Sequence, residues 1–282
     1  MKLVRFGSSG REKPGIIDAD RKIRDLSKIV PDIGGDVLSP KCLEKIRRVD
    51  LNKLPVVRGS VRLGPCVANT RHFIAIGLNY IDHAIETNAT IPKEPIIFSK
   101  APTCISGPYD DVVLPKGSRK SDWEVELCIV IGSRARYLSK DKAMDVVAGY
   151  TICNDISERE FQLERETQWH KGKGCETFGP IGPWLVTKDE INDVQNLNLY
   201  LDVNGKRLQN STTKNMIFKV AHIVWYCSQF FRMEPGDLIT TGTPPGVGLG
   251  MKPERYLKPG DEMRLGITGL GEQRQKVRKF SK

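Results

Sequence analysis

Glu124 and Glu126 stand two residues apart in Asp122-Trp123-Glu124-Val125-Glu126-Leu127-Cys128-Ile129-Val130-Ile131, and Asp155 closes the next apolar stretch. The segment alternates, with Val125, Leu127, Ile129 and Ile131 on one side and Glu124, Glu126, Cys128 and Val130 on the other. That pattern predicts a strand, whose period of two puts both carboxylates on one face. Like charges at neighbouring positions of one face repel unless a proton or a cation neutralises them, and a third acid at the end of an apolar strand adds to the cost. A bound divalent metal resolves the conflict. A blander alternative is an edge strand whose wet face carries the two acids, although that face continues into Cys128 and Val130 as if buried. The Glu-x-Glu pair alone does not decide between them.

Gly77-Leu78-Asn79-Tyr80-Ile81-Asp82-His83-Ala84-Ile85-Glu86 follows an apolar run, so Asn79 reads as an N-cap with Asp82 in the first helical turn. His83 and Glu86 are then three apart on one helix face, where a carboxylate can orient an imidazole as a general base. A plain surface His-Glu pair fits the same spacing. Lys171-Gly172-Lys173-Gly174 lacks the spacing of a phosphate loop, and Gly246-Val247-Gly248-Leu249-Gly250 follows two prolines instead of opening a helix. No nucleotide cofactor is expected.

Around these groups, residues 1–68 read as a small α+β module, with a hairpin over 7–17, a helix near 40–49 and an edge strand and linker over 54–65. Residues 69–282 form the second expected unit, with short apolar runs predicting strands at 74–77, 96–99, 111–114, 125–131, 148–153, 197–203, 237–241 and 262–267. Asn204-Gly205 marks a hairpin turn, and helices are expected near Asn79 and over 216–231. Many strands with few helices predict a β-rich α+β fold and exclude a doubly wound sheet. Seven scattered cysteines without a Cys-x-x-Cys pair speak against a zinc site or a disulfide framework. No leader or long apolar run is apparent, so the expected location is cytoplasmic, with no membrane partner. The net charge of +10 is dispersed among acids, which argues against nucleic acid and suits small anionic substrates.

The blocks GLNYIDHAIE, PIIFSKAPT, DWEVELCIVIG, GYTICNDISERE, KGKGCETFGPIGPWLVT, the 209–218 segment and PGDLITTGTPPGVG, in this order and spacing, resemble the fumarylacetoacetate hydrolase family over residues 70–280. The resemblance is greatest to the bacterial branch that hydrolyses 2,4-diketo-3-deoxy sugar acids or other acylpyruvates at a carbon–carbon bond. It implies a mixed β-roll or sandwich-like catalytic domain and a homodimer. It also implies Glu124, Glu126 and Asp155 as ligands of Mg²⁺ or Mn²⁺, His83 and Glu86 as the water-activating pair, and Lys173 as the active-site lysine. Arg159, Gln162 and Thr243 fall on substrate-binding positions. Gly174-Cys175-Glu176 follows Lys173 where many relatives carry Ser-Phe-Asp, and Thr212 replaces a common asparagine. The implied reaction is metal-dependent cleavage of a 2,4-diketo acid to pyruvate and a carboxylic acid. Oxaloacetate decarboxylation and hydration or isomerisation of a 2-oxo-dienoate are the rivals, and a non-catalytic basic polymer-binding protein is a distant one.

Overall fold

The computed structural model describes residues 1–86 and 90–281, with the side chains of residues 83 and 84 outside that description. Its centre is a ten-stranded mixed sheet. Nine strands run in the order Ile23–Asp25, Lys13–Ile17, Lys2–Phe6, Gly179–Thr187, Val147–Asn154, Val125–Ile131, Leu238–Thr240, Phe73–Gly77 and Ile96–Lys100, and Ile105–Ser106 pairs alongside Gly179–Thr187. The alternating acidic segment is therefore not an edge. Val125–Ile131 lies between Val147–Asn154 and Leu238–Thr240, every residue of it buried.

A five-stranded sheet, Lys206–Thr212, Asn198–Val203, Glu262–Ile267, Gly271–Arg278 and Val112–Val113, packs against the first. Buried glutamine amides stitch the layers together. Gln273 Nε2 donates to the Ile152 carbonyl at 2.8 Å, and Gln275 Oε1 accepts from Asn154 Nδ2 at 3.2 Å. Such bonds meet the demand that a polar group buried between sheets finds a partner. The strand-dominated α+β class agrees with expectation.

The first 68 residues, expected as a module of their own, contribute three strands to the central sheet, with Lys2 opposite Val186 and Leu3 opposite Leu185. Arg62 bridges the same region to the rest, donating to Glu12 and in a fork to Asp110. The strand Gly179–Thr187 carries two prolines and two glycines, a composition that argues against a central strand. The ladder to Val147–Asn154 shifts register between the Tyr150–Val186 and Ile152–Gly182 pairs, so Pro183 falls inside an irregularity where no ladder N–H is required.

Asn79 is not the expected N-cap. The helix spans Ile81–Glu86, and the buried Asn79 amide donates to the carbonyls of Phe218 and Thr241 and accepts from the Phe218 N–H at 2.7 Å. It pins the strand end to two distant segments. The second helix is shorter than read from the sequence, Val220–Ser228, with Met216 buried just ahead of it. Among the described residues no helix is long and apolar enough to cross a membrane.

Candidate active site

The three sequence-predicted metal ligands converge. Glu124 and Glu126 project from the start of Val125–Ile131, and Asp155 follows Val147–Asn154, the antiparallel neighbour in which Cys153 faces Glu126. One carboxylate oxygen of each lies within 4.8 Å of the other two, and all three residues are buried. The donors are hard oxygens on rigid strands, the chemistry that suits Mg²⁺ or Mn²⁺.

Glu126 shows most plainly that a cation fits. Its Oε2 accepts the Gly242 N–H at 2.9 Å, and among the described residues it forms no ion pair. Burial first, then Asp155 and Glu124, push its carboxyl well above the usual carboxylate range. Gly242 has to be glycine: φ is +91°, and a Cβ there would stand 2.8 Å from the Asn79 Cβ.

Cations surround the other two acids. Lys173, on the short helix His170–Lys173, donates from Nζ to Glu124 Oε2 at 2.8 Å and to Asp155 Oδ2 at 2.7 Å. Arg159, at the start of Arg159–Leu163, meets Glu124 Oε1 at 2.7 Å and Asp122 Oδ2 at 2.8 Å, and donates to Gln162 Oε1 at 3.1 Å. Burial alone would raise the Glu124 carboxyl. Lys173 and Arg159 outweigh it and hold the group down at about 2. Lys173, Arg159 and Gln162, the positions that the resemblance implies, thus lie together beside the acids.

Two further charges were not singled out from the sequence. Lys100, closing Ile96–Lys100, is buried with Nζ 2.6 Å from Asp155 Oδ1, and it also donates to the carbonyls of Lys173 at 2.5 Å and Ile156 at 3.3 Å. Burial would discharge this amine, but Asp155 reverses the effect and raises its affinity for the proton. A lysine closing an apolar strand just before Pro102 was the available signal. Asp122 accepts from the N–H groups of Gly248 at 2.7 Å and Leu249 at 3.1 Å while pairing with Arg159, so one buried carboxylate fixes both a glycine-rich loop and the site arginine. Burial raises its carboxyl despite these partners.

Thr243 lies at the site, but its hydroxyl is engaged within the protein. It donates to the Val125 carbonyl at 3.1 Å and accepts from Gln209 Nε2 at 2.8 Å. Gln209 also accepts the Val125 N–H at 3.0 Å and so clamps the start of the acidic strand. It is the one fully buried residue of Lys206–Thr212, a polar side chain where the alternation calls for a core residue.

The helix Ile81–Glu86 is tied down at both ends. Asp82 accepts from Ser211 Oγ at 2.6 Å and Asn215 Nδ2 at 3.0 Å, and the Glu86 carboxylate accepts the Gly246 N–H at 3.0 Å. The His83 side chain, expected as the general base, lies outside the described residues. Glu124, Glu126, Lys173, Arg159, Gln162 and Thr243 line a cavity of about 240 Å³. Ile76, Leu78, Phe98, Leu163, Trp169, Val247 and Leu249 line it with apolar side chains. Leu78 holds φ at +49°, an uncommon conformation for a residue with a side chain, directly at the cavity wall.

Residues 72–278 match the model of the fumarylacetoacetate (FAA) hydrolase C-terminal family. A Burkholderia ambifaria protein, named no more closely than as a hydrolase, is 55% identical over 279 residues, 99% of each chain. The solved fumarylacetoacetate hydrolase of psychrophilic Exiguobacterium antarcticum superposes with a TM-score of 0.85 at 35% identity, covering 99% of this chain and 100% of that one. The maleylpyruvate hydrolase of Sphingobium sp. SYK-6, solved with manganese(II) and pyruvate, superposes with a TM-score of 0.81 at 27% identity over all of both chains.

Proposed function

The chain belongs to the fumarylacetoacetate hydrolase family, and from that premise we propose that it is a divalent-metal-dependent hydrolase of 2,4-diketo acids. It would cleave an acylpyruvate, or a 2,4-diketo-3-deoxy sugar acid, between C3 and C4 to pyruvate and a carboxylic acid. The observation that carries the reading is the buried acid triad beside Lys173 on one side of a small cavity. The manganese and pyruvate of the maleylpyruvate hydrolase support it from outside.

Glu124, Glu126 and Asp155 would hold Mg²⁺ or Mn²⁺, which when bound supplies Lewis acidity toward the 2-oxo acid end of the substrate. The remaining work falls to the chain. Asp82 and Glu86 hold the helix that carries His83 through Ser211, Asn215 and Gly246. From it, His83 takes a proton from water, and the hydroxide adds to the C4 carbonyl. Lys173 and Arg159 offer fixed positive charge to the oxygens on which negative charge grows. As the C3–C4 bond breaks, C4 leaves as the carboxylate, and C3 takes up a proton to become the methyl group of pyruvate. Water is consumed once, and one proton is released. The apolar walls keep other water away from the reacting carbons.

The test is turnover of acylpyruvates, a 2,4-diketo-3-deoxy sugar acid and oxaloacetate, with Mn²⁺ or Mg²⁺ and with chelator, identifying products by mass spectrometry. Metal-dependent pyruvate plus a carboxylic acid is expected. Carbon dioxide from oxaloacetate alone, or isomerised dienoates of unchanged mass, would replace this reading with a rival. His83→Ala is expected to lose turnover while still binding Mn²⁺, and unchanged turnover would remove His83 from the role of base.

A further inference from the structure

We propose that the cavity selects a substrate bearing one negative charge, its 2-oxo acid carboxylate, joined to a compact uncharged acyl group, and that it rejects dicarboxylates of the same length. The inference deepens the hydrolase reading and rests on it.

The first argument is charge. Ion pairs and direct neighbours link four buried carboxylates, Asp122, Glu124, Glu126 and Asp155, to three buried cations, Lys100, Lys173 and Arg159. With all four carboxylates ionised, as metal ligation requires of Glu126, the cluster is one positive charge short of neutral. A divalent cation would leave it one positive charge over, which a single substrate carboxylate balances. A second carboxylate has no counter-charge in the cluster, and an unbalanced charge in a water-poor site is costly.

The second argument is the lining. Away from Glu124, Glu126 and their polar neighbours Arg159, Lys173, Gln162 and Thr243, the side chains lining the cavity are apolar, Leu78, Phe98, Leu163 and Trp169 among them. Among the described residues, the only cationic side chains lining the cavity are Arg159 and Lys173, both already paired with carboxylates. Carboxylates stand at the Val247–Leu249 wall: Asp122, paired with Arg159, on the Gly248 and Leu249 N–H groups, and Glu86 on the neighbouring Gly246 N–H. A volume of about 240 Å³ suits a short acyl group. The net charge of +10 draws in monoanions and dianions alike, so it does not oppose the selection made inside.

The test measures binding apart from turnover. Mn²⁺-loaded protein is titrated calorimetrically with 2-oxopentanoate and with 2-oxopentanedioate, which match in length and lack the 4-oxo group needed for cleavage. The monoanion is expected to bind more tightly by about tenfold or more. Leu163→Lys, which puts a cation on the half-exposed edge of the apolar wall, is expected to narrow that ratio. Equal affinities, a preference for the dianion, or no binding of either overturns the proposal. Turnover of 2,4-dioxohexanoate against 2,4-dioxohexanedioate runs in parallel. If neither is cleaved while the binding preference holds, the hydrolase reading fails and the charge selection stands.

Discussion

Replacing Glu126 with glutamine is expected to stabilise the metal-free protein and to abolish its stabilisation by metal. Glu126 is buried beside Glu124 and Asp155 with one hydrogen bond, from Gly242, and burial and those two acids push its carboxyl well above the usual carboxylate range. Without metal, the folded protein keeps a proton that the unfolded chain gives up. The stability from this raised group is complete below the unfolded value of about 4.3 and is lost as pH rises through the folded value. Between the two values the loss is about 1.4 kcal/mol per pH unit. Each unit therefore costs about 3 °C in melting temperature for a chain of this size. Glutamine keeps the shape and an acceptor for Gly242 but has no charge to lose. In chelator, the melting temperature of Glu126→Gln minus that of wild type should be near zero at about pH 4.5 and rise by about 3 °C for each pH unit until the raised folded value is reached. Glu124, held down by its cations, loses stability only as pH falls toward about 2, outside this window. Saturating Mn²⁺ should invert the order: wild type gains about 2.7 kcal/mol at a hundredfold excess over its dissociation constant, and the variant gains little. Scanning calorimetry across the pH series, with chelator and with Mn²⁺, reads all four curves. A flat difference in chelator, or equal Mn²⁺ shifts in both proteins, would refute the reasoning.

Lys100→Met orphans Asp155 Oδ1 and two backbone carbonyls, and loss of one partner from a buried ion pair is expected to cost about 3–5 kcal/mol in denaturant unfolding. A loss below about 1 kcal/mol would show that the lysine is dispensable. Asp122→Asn keeps the shape but weakens the hold on Arg159, Gly248 and Leu249 together, so KM for the diketo acid is expected to rise about tenfold or more with Mn²⁺ affinity little changed. Steady-state kinetics beside Mn²⁺ titration separates the two effects. Gln209→Leu takes from the Val125 N–H its acceptor and from the Pro244 carbonyl its side-chain donor, and a loss of about 2 kcal/mol or more in thermal unfolding is expected.

The acid triad was legible because period two and like-charge repulsion are local rules. Glu124 and Glu126 share a face whatever the sheet does next, and Asp155 follows a strand whose apolar run ends visibly. Lys173, Arg159 and Gln162 were legible only through family resemblance, since the two short helices that carry them have no periodicity of their own. What escaped depends on long-range pairing. Lys100 meets Asp155 only because Ile96–Lys100 lies across the sheet from it. The Asn79 amide reads locally as a helix cap, but tertiary contacts with Phe218 and Thr241 claim it first. Gly179–Thr187 is missing from the expected strands because its prolines and glycines contradict strand propensity, and the register shift opposite Thr151 accommodates Pro183.

The central claim is water-dependent carbon–carbon cleavage at the acid triad. The most direct measurement is a single incubation of 2,4-dioxopentanoate with the Mn²⁺-loaded protein in ¹⁸O-labelled water, followed by mass spectrometry of the products. Pyruvate together with acetate carrying one solvent oxygen, both lost with chelator and with Glu126→Gln, is the result the account predicts. Products that appear regardless of metal, or a dioxo acid that returns intact, would contradict it.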